Sequence, residues 1–206
     1  MKHYFITAIG TDSGKTLVSA IVTEALKADY WKVVQAGNVE TDKETVMSLV
    51  PNTQSVFHEE SYLLDAPESP HSSAAKQGVT IDIEKIKLPT IENEYLVTEG
   101  AGGVLVPLND EHLVIDLADK FDCEVILVSN VYLGSINHTL LTVNELKRRN
   151  IRVKGIIFNG DENLEAKKYI LQYSGFQELL SIPTLELIDE ETVSYYAEKI
   201  RPFLLN

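Results

Sequence analysis

The 206-residue chain has a single cysteine, Cys123. An internal disulfide is therefore excluded, which fits a reducing cytoplasm. Cys123 opens the apolar run CEVILVS and reads as a small buried hydrophobe rather than a nucleophile. Positive charge is scarce: 18 Lys and Arg stand against 31 Asp and Glu, a formal net charge of -13. Such a surface repels nucleic-acid phosphates and anionic membranes, and no basic stripe offsets it. An anionic substrate would need positive potential gathered locally. No apolar run approaches the roughly 20 residues of a membrane helix. The N-terminal MKHYFITAIG runs into a glycine loop without a small-residue cleavage site, which argues against a signal peptide. The five histidines lack the spacing of zinc ligands. What is present is an ordinary globular balance, 44% hydrophobic and 24% charged. The length suits one domain over residues 1–206. Together these point to a soluble enzyme for small molecules.

Apolar, β-branched runs alternate with helical patterns. Residues 2–9, 32–36, 94–100, 124–130, 153–160 and 179–185 read as strands. Residues 16–28, 113–121, 138–149, 163–173 and 191–200 read as helices. The strand runs do not alternate in polarity, as expected for strands buried on both faces. The order predicts an α/β fold: a mostly parallel sheet with helices on both faces. Ligands of such sheets sit beyond the carboxyl ends of the strands. Polar residues follow the strands at 12–16, 42, 99–103, 134–138 and 159. Residues 51–93 break the pattern, with Pro51, Pro67, Pro70 and Pro89 and little periodicity. They read as a long functional excursion with a short helix near 72–76, started by Ser69 and Pro70.

The strongest local signal is Gly10-Thr11-Asp12-Ser13-Gly14-Lys15-Thr16 between a strand and a helix. Glycines let backbone N–H groups wrap an anion, and the helix start adds its positive dipole end. Lys15 would reach phosphate oxygens and the Thr16 hydroxyl would ligate magnesium. The spacing departs from the usual P-loop, since Ile9 stands where its first glycine would. Glu99, ending a second strand before Gly100-Ala101-Gly102-Gly103, is placed as P-loop enzymes place the acid that holds magnesium. Its glycines let backbone approach the phosphates closely. From spacing alone, Asp42 reads as the N-cap of the following helix, Ser135 to Asn137 as an N-cap region, and Asn159 as a turn residue.

At this point the residues resemble the dethiobiotin synthetase family of biotin biosynthesis. Residues 7–16 resemble its T-G-T-D-T-x-V-G-K-T, and 30–37 its K-P-V-x-[ST]-G segment. Ser69-Pro70-His71, Glu99-Gly100-Ala101-Gly102-Gly103 and Leu133-Gly134-Ser135-Ile136-Asn137-His138 follow in the family's order. The resemblance implies a P-loop NTPase-like fold and an ATP- and magnesium-dependent ligase. Its substrates would be 7,8-diaminopelargonic acid and carbon dioxide. One amine is carboxylated, the carbamate takes the γ-phosphoryl group, and the second amine closes the ureido ring. By the same resemblance Lys15, Lys32 and Thr11 serve catalysis. Asp12, Ser13, Gly14, Lys15, Thr16, Glu99, Gly102 and Asn159 bind nucleotide. Thr16, Asp42 and Glu99 hold magnesium, because Thr41-Asp42 falls where the family has Ser-Asp. Thr11, Lys32, Gly134, Ser135, Ile136, Asn137 and Tyr169 meet the substrate. The helix end at Gly134 to His138 and Tyr169 would come from the neighbouring subunit of a homodimer. Ala8 replaces the family's first loop glycine, so the loop is expected to turn through Gly10. Val33 replaces a proline, and Ala36 removes a hydroxyl near the substrate. His71 is read as structural or as a site wall. The rival reading is a P-loop ATPase that switches a partner, like chromosome-partitioning proteins. Those usually carry an extra lysine early in the loop, where this chain has Ile9, Gly10 and Thr11.

Overall fold

The computed structural model describes residues 1–205. Seven strands form one sheet: β1 (Lys2–Ala8), β2 (Asp29–Lys32), β4 (Phe57–His58), β6 (Tyr95–Gly103), β7 (Glu124–Asn130), β8 (Val153–Asn159) and β9 (Glu178–Ile182). Their order is β4-β2-β6-β1-β7-β8-β9, with every neighbouring pair parallel. The non-alternating runs are thus explained: central strands such as β7 are buried along nearly their whole length between two helical layers.

One layer holds α1 (Lys15–Leu26), α2 (Asp42–Leu49) and α7 (Glu190–Leu205). Its cluster includes Val18, Ile21, Tyr30, Val97, Ile126, Ile157 and Ile200. The other layer holds α3 (Pro70–Lys76), α4 (Val114–Lys120), α5 (Ser135–Arg148) and α6 (Leu164–Ser174), around Phe5, Trp31, Leu96, Leu127, Ile156 and Phe158. Cys123 is buried in that second cluster, and burial pushes its thiol pKa up. Among the described residues no helix is long and apolar enough to cross a membrane.

Three local readings are corrected. The run 32–36 is not one strand. The chain leaves the main sheet after Lys32, and β3 (Val34–Ala36) pairs in parallel with β5 (Tyr62–Leu64) in a separate two-stranded ribbon. The main-sheet strand begins earlier, at Asp29, a buried acid that accepts hydrogen bonds from Asn93 Nδ2 (2.6 Å) and the Glu92 amide (2.9 Å). Next, the cap of α2 is Thr41, not Asp42. Thr41 Oγ1 accepts from the Glu44 amide at 3.2 Å, while the Glu44 carboxylate accepts from the Thr41 amide at 3.1 Å. Asp42 is thereby released to face the site. Finally, α5 starts from Gly134 at φ 103° with no side-chain cap, so Ser135 to Asn137 are first-turn residues rather than caps.

The 51–93 excursion contains β4, β5, α3 and a 3-10 turn at Ile83–Lys85. Its short helix begins as expected, with Ser69 at the N-cap and Pro70 in the first turn. Ser69 Oγ is hydrogen-bonded to His71 Nδ1 (3.1 Å) and donates to Ser72 Oγ (3.0 Å).

Candidate active site

The carboxyl ends of β1, β2 and β6 open into a cleft of about 750 Å³. Its lining includes Thr11, Asp12, Ser13, Gly14, Lys15, Thr16, Lys32, Asp42, Glu99 and Gly102. Ten of the residues singled out in the sequence thus meet in one place. Pro67, Glu68, Ser69 and Pro70 form a wall, which is what the excursion contributes.

The loop between β1 and α1 does not turn through Gly10. Its left-handed backbone lies at Asp12 (φ 54°) and Gly14 (φ 91°). Aspartate tolerates that conformation better than most side chains, and glycine is free in it. Gly10 is not needed for space either, since a Cβ placed on it would meet no atom within 4 Å. Ile9 does not enter the cleft. It packs against the second hydrophobic cluster and lines a separate groove with Val104, Leu105, His138 and Leu141. Lys15 Nζ donates to the Gly10 carbonyl at 3.2 Å, folded over its own loop. Burial, and then the charge of Lys32, lower the Lys15 pKa.

Facing the loop is a buried charge cluster. In the β2–β6 ladder Lys32 is the register partner of Glu99. Lys32 Nζ lies 2.6 Å from Asp42 Oδ2 and 3.1 Å from Glu99 Oε1, and donates to the Gly100 carbonyl at 2.9 Å. Burial alone would lower the Lys32 pKa, but Glu99 and Asp42 hold it above the ordinary value. For Asp42, burial is likewise outweighed by Lys32, and its pKa is lowered. Thr16 Oγ1 donates to Asp42 Oδ1 (2.8 Å) and Glu99 Oε1 (3.3 Å). Two carboxylates and a hydroxyl therefore converge around a point that already attracts an ammonium. Hard oxygen donors in this number suit magnesium, which keeps several water or phosphate ligands of its own.

Two residues here escaped the sequence reading. Tyr30, wholly buried, donates its hydroxyl to Glu99 Oε2 at 2.9 Å. The available signal was its spacing, since residues two apart on a strand share a face and Tyr30 precedes Lys32 by two. Gln35 accepts from the Asp42 amide at 3.2 Å and donates to the Gly37 carbonyl at 3.1 Å, tying the ribbon to the start of α2.

The remaining predicted residues lie elsewhere. Asn159 ends β8, and its Nδ2 donates to the Ser13 carbonyl at 3.0 Å. A Cβ on Gly14 would stand 2.2 Å from that nitrogen, so Gly14 is needed for the contact as well as the turn. Gly134, Ser135, Ile136, Asn137 and Tyr169 line a second, shallow groove with Tyr132, Leu133 and Asn163. The Ser135 side chain is buried, and its amide donates to the Tyr132 carbonyl at 3.0 Å. The Ile136 and Asn137 amides precede the first intrahelical bond, which His138 makes. Leu133 is fully exposed, and Tyr169 is about half exposed and stacked on Tyr173.

The profile of the AAA domain family matches residues 2–192. An ATP-dependent dethiobiotin synthetase of Cytophaga hutchinsonii is 58% identical over 97% of this chain and 97% of that protein. One from Christiangramia forsetii is 50% identical over 97% and 96%. Among solved structures, a ParA family ATPase of Chlorobium tepidum superposes with a TM-score of 0.60 at 16% identity, over 100% of this chain and 98% of that one. A chain of the MinC:MinD cell division complex of Aquifex aeolicus gives 0.59 at 14% identity, over 100% and 96%. At such identities the likeness concerns the fold, and it is that of P-loop NTPases.

Proposed function

This chain belongs to the ATP-dependent dethiobiotin synthetases, and from that membership we propose that its cleft carboxylates 7,8-diaminopelargonic acid with carbon dioxide and closes the ureido ring. The observation that carries the reading is the meeting of Lys15, Lys32, Thr16, Asp42 and Glu99 beyond the ends of β1, β2 and β6.

The loop amides and Lys15 hold the triphosphate. Thr16, Asp42 and Glu99 would hold magnesium, which would supply positive charge against the triphosphate. An amine nitrogen attacks carbon dioxide and loses a proton, giving a carbamate. A carbamate oxygen takes the γ-phosphoryl group and ADP leaves. The second amine then attacks the carbonyl carbon and loses a proton; phosphate departs with the oxygen that was phosphorylated, and the other carbamate oxygen stays as the ureido carbonyl. Lys32 neutralises the carbamate and the transferring phosphoryl group, where charge accumulates. Thr11 stands at the substrate's nitrogen end and Asp12 and Ser13 shape the loop. Gly102, at φ 62°, keeps the loop after β6 low beside Thr11. Asn159 offers the base its remaining amide oxygen, since its nitrogen already serves Ser13.

The substrate's carboxylate is taken by the start of α5, with Asn137, from a second copy of the chain, and Tyr169 reaches in beside it. An exposed apolar ridge supports this homodimer: Leu105, Leu133, Ile136, Leu141 and Tyr169 are each more than one-third exposed. A cytoplasmic setting fits the buried, unpaired Cys123.

The test is incubation with diaminopelargonate, ATP, magnesium and 13C-bicarbonate. Dethiobiotin one mass unit heavy is expected, and Lys15→Ala should abolish it while the circular dichroism stays unchanged. ATP turnover without that product would instead favour the partner-switching ATPase.

A further inference from the structure

We infer that Tyr30 is a positioning residue for the cation site, holding Glu99 so that a single carboxylate oxygen faces Thr16 and Lys32. The inference rests on the magnesium role of Glu99 proposed above and adds what orients that acid.

Glu99 is wholly buried within β6, just before the glycine-rich end of that strand. A carboxylate there can rotate about its last bond and present either oxygen, or both. The contacts divide the two oxygens. Oε2 accepts the Tyr30 hydroxyl at 2.9 Å. Oε1 accepts from Lys32 Nζ at 3.1 Å and from Thr16 Oγ1 at 3.3 Å. Tyr30 itself has no room to turn: it is wholly buried in the cluster with Val18, Ile21 and Val97, and its ring lies against Phe57 at 6.2 Å. The sheet sets this geometry. Tyr30 pairs with Val97 and Lys32 with Glu99 in the parallel ladder, so all four side chains share the α1 face. Magnesium demands near-octahedral geometry with short bonds, and a carboxylate donating one oxygen satisfies that better than one donating two. Groups that orient a metal ligand from behind typically carry 10–100-fold of the metal affinity.

The test replaces Tyr30→Phe, which keeps the ring and removes only the hydroxyl. Mn2+ is titrated as a paramagnetic stand-in for magnesium, in the presence of a non-hydrolysable ATP analogue. About a tenfold loss of Mn2+ affinity is expected, with analogue affinity in EDTA unchanged. Tyr30→4-aminophenylalanine, which restores a donor at the same reach, should recover most of the loss. If Tyr30→Phe does not fold, Tyr30→4-methylphenylalanine, which fills the place of the hydroxyl without donating, is compared with the parent in its stead. In a Glu99→Gln background Tyr30→Phe should cost no further affinity. A Tyr30→Phe protein that melts earlier yet binds Mn2+ as the parent does would reduce Tyr30 to packing and overturn the inference. Should Glu99→Gln itself leave Mn2+ affinity intact, the magnesium role of Glu99 falls first, and the inference with it.

Discussion

Replacing Lys32 by methionine keeps the reach of the side chain and removes its charge. The protein without nucleotide should then lose stability, and magnesium should restore part of it. The ammonium sits 2.6 Å from Asp42 and 3.1 Å from Glu99, with the Lys32 and Glu99 side chains 4% and 0% exposed. Breaking a buried pair from one side costs about 3–5 kcal/mol, because the partner charge is left uncompensated. The Asp42 side chain is 30% exposed, so water softens its share. The lower end, about 3 kcal/mol, is the better estimate. In a chain of this size each kcal/mol moves the melting temperature by about 2–4 °C, so a fall of roughly 6–12 °C is expected. Magnesium at a hundred times its dissociation constant adds about 2.7 kcal/mol to whichever folded state binds it. The variant presents two carboxylates with no resident cation and should gain more from magnesium than the parent, in which Lys32 occupies that place. Thermal melting by circular dichroism at pH 7.5, across a magnesium titration, reads both effects. A fall under about 2 °C, or an equal magnesium gain in parent and variant, would refute the reasoning.

Two further outcomes are expected. Burial lowers the His3 pKa from 6.5 to about 4. Below pH 6.5 the unfolded chain therefore takes up a proton that the folded one refuses. Stability should fall between those two values and level off below them, by on the order of 3 kcal/mol from this group. Urea midpoints against pH should show a flatter profile for His3→Leu over that interval. Thr41→Ala removes one half of the capping box of α2 and should cost about 1 kcal/mol, measured by urea unfolding at pH 7.

The sequence was most legible where burial is simplest. The run 124–130 is a strand with the bounds expected of it, because four consecutive apolar residues, Val125 to Val128, fill its middle. The run 32–36 misled through its valine pair. Val33 and Val34 are both buried, but in a segment that passes from one sheet to another, and hydrophobic pattern does not record which strand a residue pairs with. Asp29 masked the true start of β2. A buried acid reads as a loop residue until its partners Asn93 and Glu92, more than sixty positions away, are brought to it. Strands β4 and β5 span two and three residues, too short for any period to show. In the site, Lys15, Thr16 and Glu99 were announced by glycines beside them. Asp42 needed resemblance, since an acid beside a helix start is ambiguous by one residue, and Thr41 took the cap. Tyr30 stands between Asp29 and Lys32, but nothing in the order of residues pairs it with Glu99, and only the ladder between β2 and β6 brings the two together.

The small β3–β5 ribbon divides the cleft into a fixed part and a variable one. Lys32 and Glu99 are held by the seven-stranded sheet, whereas Pro67 to Pro70 hang from a ribbon whose strands pair only with each other. Substitutions along that wall can reshape what the cleft admits without moving a rung of the ladder that carries Lys32 and Glu99. Selection for a new guest molecule could act on the rim alone, leaving the buried charges at the cleft floor untouched.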